Sequence, residues 1–349
     1  MDYRLKANRR EAFVRWFVWS IKYKDCDTSV WLTNYLNKRF EHNYEQMLWF
    51  CWIYGNTYQL PTSWIIMQEF PDFELATQSR LEDWNTKYYK KLRYQTDLKW
   101  NKGHLPSMFA SYCNFIGKKT QKQGLELHFG DNEKSNFNLL WSRVNSKLHK
   151  FGRYSTWFYL QHLKQTCNLP IEPNSLMLSD YAGSRSHRNG LLHVLGEEDI
   201  CNSKLTNSKY ASLESQAQDI LEETKSRFPE IANEVDLFRM ETCLCSFKKI
   251  FRHNNGRYLG YYLDRQYEEI KQAESDGWAG IDWQVIWQAR QEELDPRLNH
   301  KLGIMKFRYT DFIETGLLDN LEWLFADEPN PDIVWSVRVK FNGLSITKS

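Results

Sequence analysis

The chain has 349 residues, of which 42% are hydrophobic and 26% charged, so it can bury a sizeable core as one large domain or two lobes. A net charge of +2 gives no general attraction to nucleic acid, so any such site must be a local patch on a balanced surface. Seven cysteines without a disulfide framework, a charged start (MDYRLKANRREAF) and no run of ~18 apolar residues argue against a secreted or membrane protein and point to the cytoplasm.

In chain order, Arg9–Lys24 repeats apolar residues at Phe13, Trp16, Phe17 and Ile21, which is helical spacing. Tyr44–Tyr54 reads as a more buried helix, and Thr62–Glu69 as a short one opened by a hydroxyl cap after Pro61. Leu81–Trp100 is read as helical and unusually basic; Leu139–Lys150 and Trp157–Thr166 carry the same period. Pro170 and Pro173 break the chain, and Asp180–Gly190 reads as a polar loop. Helices resume at Gln216–Lys225, Ile231–Phe251, Arg257–Ser275 and Asp282–Glu293, and only Ile333–Phe341 alternates like a strand. The expected fold is mainly α and two-lobed. An N-terminal aromatic-rich lobe (1–196) and a C-terminal lobe with the main site (216–349) are joined by a polar connection (197–215). Aromatics make up 15% of the chain. Eight of its 15 tryptophans lie in the first hundred residues, most of them expected in the core because indole buries a large area.

Three constellations carry chemistry. Between Glu241 and Glu269, the bases Lys248, Lys249, Arg252, Arg257 and Arg265 surround Phe247, Tyr258, Tyr261 and Tyr262, with Asp264, Glu268 and Glu269 following. On a helix, Arg257, Tyr261, Asp264/Arg265 and Glu268 share one face, a layout suited to holding phosphate, stacking a base and moving a proton; intrahelical ion pairs are the bland alternative. The loop around Arg185, Ser186, His187 and Arg188 offers guanidinium forks and hydroxyls to phosphate oxygens, or is simply a surface loop. Lys87, Lys90, Lys91 and Arg93 interleave with tyrosines, and Lys99, Trp100, Lys102, Lys118 and Lys119 add to them. This composition suits a nucleic-acid backbone with stacked bases, or a solvated helix face. No P-loop, HExxH or GxSxG motif occurs, and the one close cysteine pair, Cys243 and Cys245, has no second pair to complete a zinc site. No metal or cofactor is therefore expected.

Short motifs along most of the chain resemble the phage α-glutamyl/putrescinyl thymine pyrophosphorylases, or amino acid:DNA transferases, and the helical domain of 5-hydroxymethyluracil DNA kinases. They are Tyr54–Tyr58 (YGNTY) with Phe70 and Pro71, Gly183–His187 (GSRSH), Glu241–Lys249 (ETCLCSFKK), Gly260–Arg265 (GYYLDR), and Gly277–Trp283 (GWAGIDW) with Arg290. The resemblance implies a relation to helical DNA glycosylases, although no clear Gly-rich helix-hairpin-helix turn is present. It implies double-stranded phage DNA bearing pyrophosphorylated 5-hydroxymethyluracil as substrate, in the cytoplasm of an infected bacterium. An amino acid or polyamine amine would displace pyrophosphate. Under that reading Lys248, Lys249, Arg252, Arg257 and the Arg185–Arg188 loop neutralise the departing pyrophosphate. Tyr258, Tyr261 or Trp283 receives a flipped base, and Asp264, Asp282 or Glu268 takes the amine proton. The alternatives are a DNA-binding scaffold of the modification machinery and a base-excising glycosylase.

Overall fold

Helical periodicity becomes fourteen α-helices among the residues that the structure, a computed structural model, describes: 5–26, 29–39, 43–180, 185–251, 257 and 260–295, with the backbone of 340–341 and 344–345. They are α1 (Arg9–Lys22), α2 (Val30–Arg39), α3 (Tyr44–Thr57), α4 (Leu60–Glu69), α5 (Gln78–Tyr88), α6 (Leu105–Ile116) and α7 (Gln121–Glu126). After them come α8 (Glu133–Lys147), α9 (Arg153–Cys167), α10 (Ser186–Val194), α11 (Asn207–Arg227), α12 (Leu237–Phe247), α13 (Tyr261–Ser275) and α14 (Trp283–Glu293). Lys340–Phe341 pairs antiparallel with Leu344–Ser345; residues 333–339 of the strand-like segment lie outside the described residues. The protein is mainly helical, as its periodicity requires.

α3 is apolar around its whole circumference from Met47 to Gly55, and such a helix must be central. It packs chiefly against α9, and Gly55 permits the approach: a Cβ there would meet Tyr159 Cβ at 2.9 Å. A second tight crossing joins α10 to α12, where a Cβ on Gly190 would fall 2.1 Å from the Leu244 carbonyl oxygen. α1 packs on α12, α2 on α14 and α4 on α13, so helices from early and late in the chain interleave. One buried apolar cluster runs from Ala12 to Leu294.

The tryptophans fasten this arrangement with donors as well as area. Trp16 Nε1 donates to Ser246 Oγ (3.2 Å), Trp31 Nε1 to Gln266 Oε1 (3.0 Å) and Trp64 Nε1 to the Asp282 carbonyl (2.9 Å). Each bond satisfies a buried indole N–H that would otherwise carry a desolvation penalty of about 1–3 kcal/mol.

Several local readings differ from the sequence expectation: Ile231–Phe251 is α12 between two 3-10 turns, α13 begins at Tyr261 so that Arg257 precedes the helix instead of sharing its face, and α4 is capped by Gln59, not by a hydroxyl. The helix expected over Leu81–Trp100 stops at Tyr88. Gln95 N then donates to the Thr57 carbonyl, and the chain re-enters as a 3-10 turn at Thr96–Asn101. Within the polar stretch Asp180–Gly190, helix α10 already begins at Ser186. The polar stretch 197–215 holds a 3-10 turn at Glu198–Ile200 and the beginning of α11, whose Thr206 cap accepts from Lys209 N.

Candidate active site

Between α3 and α4 the chain turns at Tyr58, whose φ of 42° is a left-handed conformation that a bulky residue holds only where its surroundings impose it. The turn sets the Tyr58 ring 3.9 Å from that of Phe158 and edge-on to Tyr154 at 5.6 Å, forming an aromatic wall. Tyr262 and Arg265, one turn apart on α13, line the same cleft together with Lys249 and Arg257. Gln95 and Asp97 close one side, and Ser186, Glu241, Thr242 and Cys245 supply the rest of a cleft that encloses about 60 Å³.

The buried acid of the cleft is Glu241, a lone acid on the apolar helix α12 and only 2% exposed. Burial raises its carboxyl pKa; Arg153, whose Nη1 donates to Glu241 Oε1 at 3.3 Å, opposes the rise. Glu241 Oε2 has no hydrogen-bond partner of its own, and the Cys245 thiol lies beside the carboxylate. Burial, and then the charge of Glu241, push that thiol up to about 12. The site therefore offers a carboxylate in a dry, aromatic-walled recess beside a thiol held protonated.

His187, Glu241 and Cys245 bring ligand atoms within 4.8 Å of one another, a spacing that could attract a transition metal. Arg153 argues against that use. Its Nη2 lies 2.8 Å from His187 Nε2, and guanidinium can only donate, so the imidazole proton is on Nδ1, facing Glu241 Oε1 at 3.5 Å. A metal would therefore have to displace Arg153 from Nε2 and release the proton of the thiol. Burial, Arg153, Lys248 and Arg188 all hold His187 neutral, well below the ordinary imidazole range. The cluster is a hydrogen-bonded scaffold that orients Glu241.

The residues singled out in the sequence divide among several places. Lys249, Arg257 and Ser186 line the cleft, and Arg257 stacks over Tyr261 with its guanidinium carbon 3.7 Å from the ring centroid. Lys248, half-buried, sits close enough to influence the charges of His187, Glu241 and Cys245. His187 supports the cleft from behind, as just described. Arg188 is buried elsewhere, donating to the Cys201 carbonyl at 2.6 Å, while Arg185 is exposed at the start of α10. Asp264 is buried and interacts with Asp25 and Arg290 away from the cleft lining; Glu268 is exposed. Asp282 caps α14 by accepting from Gln284 N at 3.0 Å, and Trp283 is packed in the core. Arg252 and Tyr258 lie outside the described residues.

Lys87, Lys90, Lys91, Lys118 and Lys119 are exposed, and Arg93 forms a forked pair with Asp276 (2.9 and 3.2 Å). Lys90, Lys91, Arg93 and Lys102 border a shallow basic depression next to Asp276.

Four contributors have no site role in the sequence reading, although two of them, Glu241 and Tyr58, lie within its motifs: Glu241, Arg153, Tyr58 and Asp25. A charged residue inside an otherwise apolar helix is the available signal for Glu241; Arg153, at the first position of α9, carries none. Asp25, 2% exposed, accepts from the amides of Gly260 (3.0 Å), Tyr262 (3.1 Å) and Leu263 (3.3 Å), and so pins the start of α13 and the position of Tyr262.

Residues 19–255 match the family model described as amino acid:DNA transferase. The chain is also similar to a protein named serinyltransferase from Salmonella phage ViI, at 26% identity over 345 residues, covering 91% of this chain and 83% of that protein. No solved structure matches. Among the described residues no helix is long and apolar enough to cross a membrane.

Proposed function

The chain belongs to the amino acid:DNA transferase family, and from that premise we propose that its cleft replaces pyrophosphate by an amino acid on the 5-methylene of a uracil in DNA. The carrying observation is the meeting of a buried carboxylate, three cations and an aromatic wall in one recess: Glu241 faces Lys249, Arg257 and Arg265 beside Tyr58, Tyr154 and Phe158. A uracil flipped from double-stranded DNA lies against the aromatic wall with its pyrophosphate toward the cations. As the carbon–oxygen bond breaks, its electron pair stays on the leaving pyrophosphate, whose growing charge the cations stabilise. The incoming amine forms the new carbon–nitrogen bond and gives its proton to Glu241. At about 60 Å³ the cleft is smaller than the roughly 300–1,000 Å³ of a ligand pocket, so the base enters only as rim side chains such as Arg257 part.

The phage relative's name makes serine the first donor to supply, with other amino acids and putrescine alongside. Duplex DNA carrying pyrophosphorylated 5-hydroxymethyluracil is incubated with each donor, and digested nucleosides are weighed by mass spectrometry. One donor should yield a heavier nucleoside with stoichiometric pyrophosphate. A free base among the products would instead mean excision, and no product with any donor would refute the assigned substrate.

A further inference from the structure

We propose that Trp100 is a wedge that enters duplex DNA beside the cleft and fills the space a flipped base leaves behind. The inference rests on the reading of the cleft as a base-flipping site. Trp100 is 71% exposed, and among the described residues every other tryptophan is buried or half-buried. An indole held in water is the exception in a chain that spends its tryptophans on the core.

Its position supplies the second argument. Trp100 lies on the 3-10 turn Thr96–Asn101, the same turn that, with its cap Gln95, lines the cleft through Asp97. In a 3-10 helix residues three apart eclipse, so Trp100 stands on the side of Asp97, about 6 Å further along the axis. The cleft and the indole are thus neighbours on one short element.

That element is braced from beneath. Gln95 N donates to the Thr57 carbonyl at 3.0 Å and Asn101 Nδ2 to the Asn56 carbonyl at 3.2 Å, tying the turn to the end of the central helix α3. Leu98 and Asn101 are buried, so the turn has an anchored face and an outward one, and Trp100 is on the outward one. A wedge has to resist being pushed aside when bases restack against it, and a braced turn provides that.

Charge identifies the occupant. Lys99 lies beside the ring, its Nζ 4.8 Å from the centroid, and Lys90, Lys91 and Lys102 border the adjoining basic depression. Lysines beside a projecting aromatic match the phosphates that flank a base step, and the acid bordering the depression, Asp276, is already paired with Arg93.

The test uses the full-length protein and a duplex with 2-aminopurine beside the target base. Binding of wild type should raise 2-aminopurine fluorescence as stacking is lost. Trp100→Ala should weaken duplex affinity by about tenfold and abolish that rise, while Trp100→Phe keeps most of both. The salt dependence of binding should not change in Trp100→Ala, because no phosphate contact is removed, whereas Lys90→Glu with Lys91→Glu should make the log–log slope shallower by about two. An unaltered fluorescence rise and affinity in Trp100→Ala, or a changed salt slope, would overturn the wedge. Failure of the proposed chemistry looks different: wild type would bind and unstack the duplex normally yet release no pyrophosphate.

Discussion

Glu241 is the counter-ion to Arg153 and, in the proposed reaction, the acceptor of the amine proton, and two substitutions separate these duties. Glu241→Gln leaves a buried guanidinium unpaired, which should lower stability by about 3–5 kcal/mol as well as abolish turnover. Glu241→Asp keeps the charge beside Arg153 but withdraws the carboxylate from the cleft. Its melting temperature should stay near wild type while the single-turnover rate drops on the order of a hundredfold. A wild-type rate in Glu241→Asp would reduce the residue to a counter-ion. The two kinds of group were unequally visible in the sequence. Lys249, Arg257 and Ser186 could be picked out because cations and hydroxyls clustered near aromatics are a surface-type signal. Glu241 was hidden because hydropathy marks α12 as core, and a pattern cannot tell a buried acid with a purpose from one merely tolerated. Asp264 drew attention through its sequence neighbours Arg257, Tyr261 and Arg265, but the helix turns Tyr262 and Arg265 to the cleft and leaves Asp264 toward Asp25 and Arg290.

At the scale of elements, the site depends on the crossing of α10 and α12. α10 carries Ser186 and His187, α12 carries Glu241 and Cys245, and Gly190 lets them touch. Gly190→Ala places a methyl group against the Leu244 backbone, which has no flexible end to move, so the helices must separate. Stability should fall by about 1–3 kcal/mol or more, and activity should fall with it because Glu241 and His187 move apart. Gly103→Ala, whose Cβ would meet only Tyr89 Cδ2 at 4.0 Å, is the matched control and should change neither. Equal melting temperatures for the two variants would contradict the crossing as drawn. Most helices were readable from period alone, α3 and α9 included, since burial of one stripe or all sides is what the period records. Where tertiary bonds override it, the reading failed: Leu81, Trp84 and Leu92 continue a helical rhythm past Tyr88, yet the backbone of Gln95 is claimed by Thr57. The start of α10 was equally obscure, because its buried residues His187 and Arg188 are polar.

Across the whole molecule, contacts between distant parts of the sequence make stability respond to pH in two opposing ways. Glu11 on α1 receives both Arg227 nitrogens from α11, at 2.7 and 3.0 Å, and Arg15 Nε at 2.8 Å. Arg227, against the cost of burial and with help from Arg15, holds its carboxyl down at about 2. A carboxyl depressed in the fold stabilises fully above its unfolded value near 4.5, and that contribution disappears as pH falls through about 2. The partners are partly exposed, at 29% and 37%, so after solvent screening the contribution is about 1 kcal/mol. Asp25 runs the other way. Burial pushes it up to about 7 despite three amide donors, so its contribution is full below the unfolded value of 3.8 and is lost as pH rises through 7. Urea unfolding of wild type, Glu11→Gln and Asp25→Asn from pH 2 to 8 resolves the two. The gap between wild type and Glu11→Gln should be about 1 kcal/mol at neutral pH and close toward pH 2. Relative to Asp25→Asn, wild type should lose stability between pH 4 and 8. A constant gap for Glu11→Gln would show that the α1–α11 bridge is only a surface contact; a constant difference for Asp25→Asn would show that the three amides keep Asp25 ionised throughout.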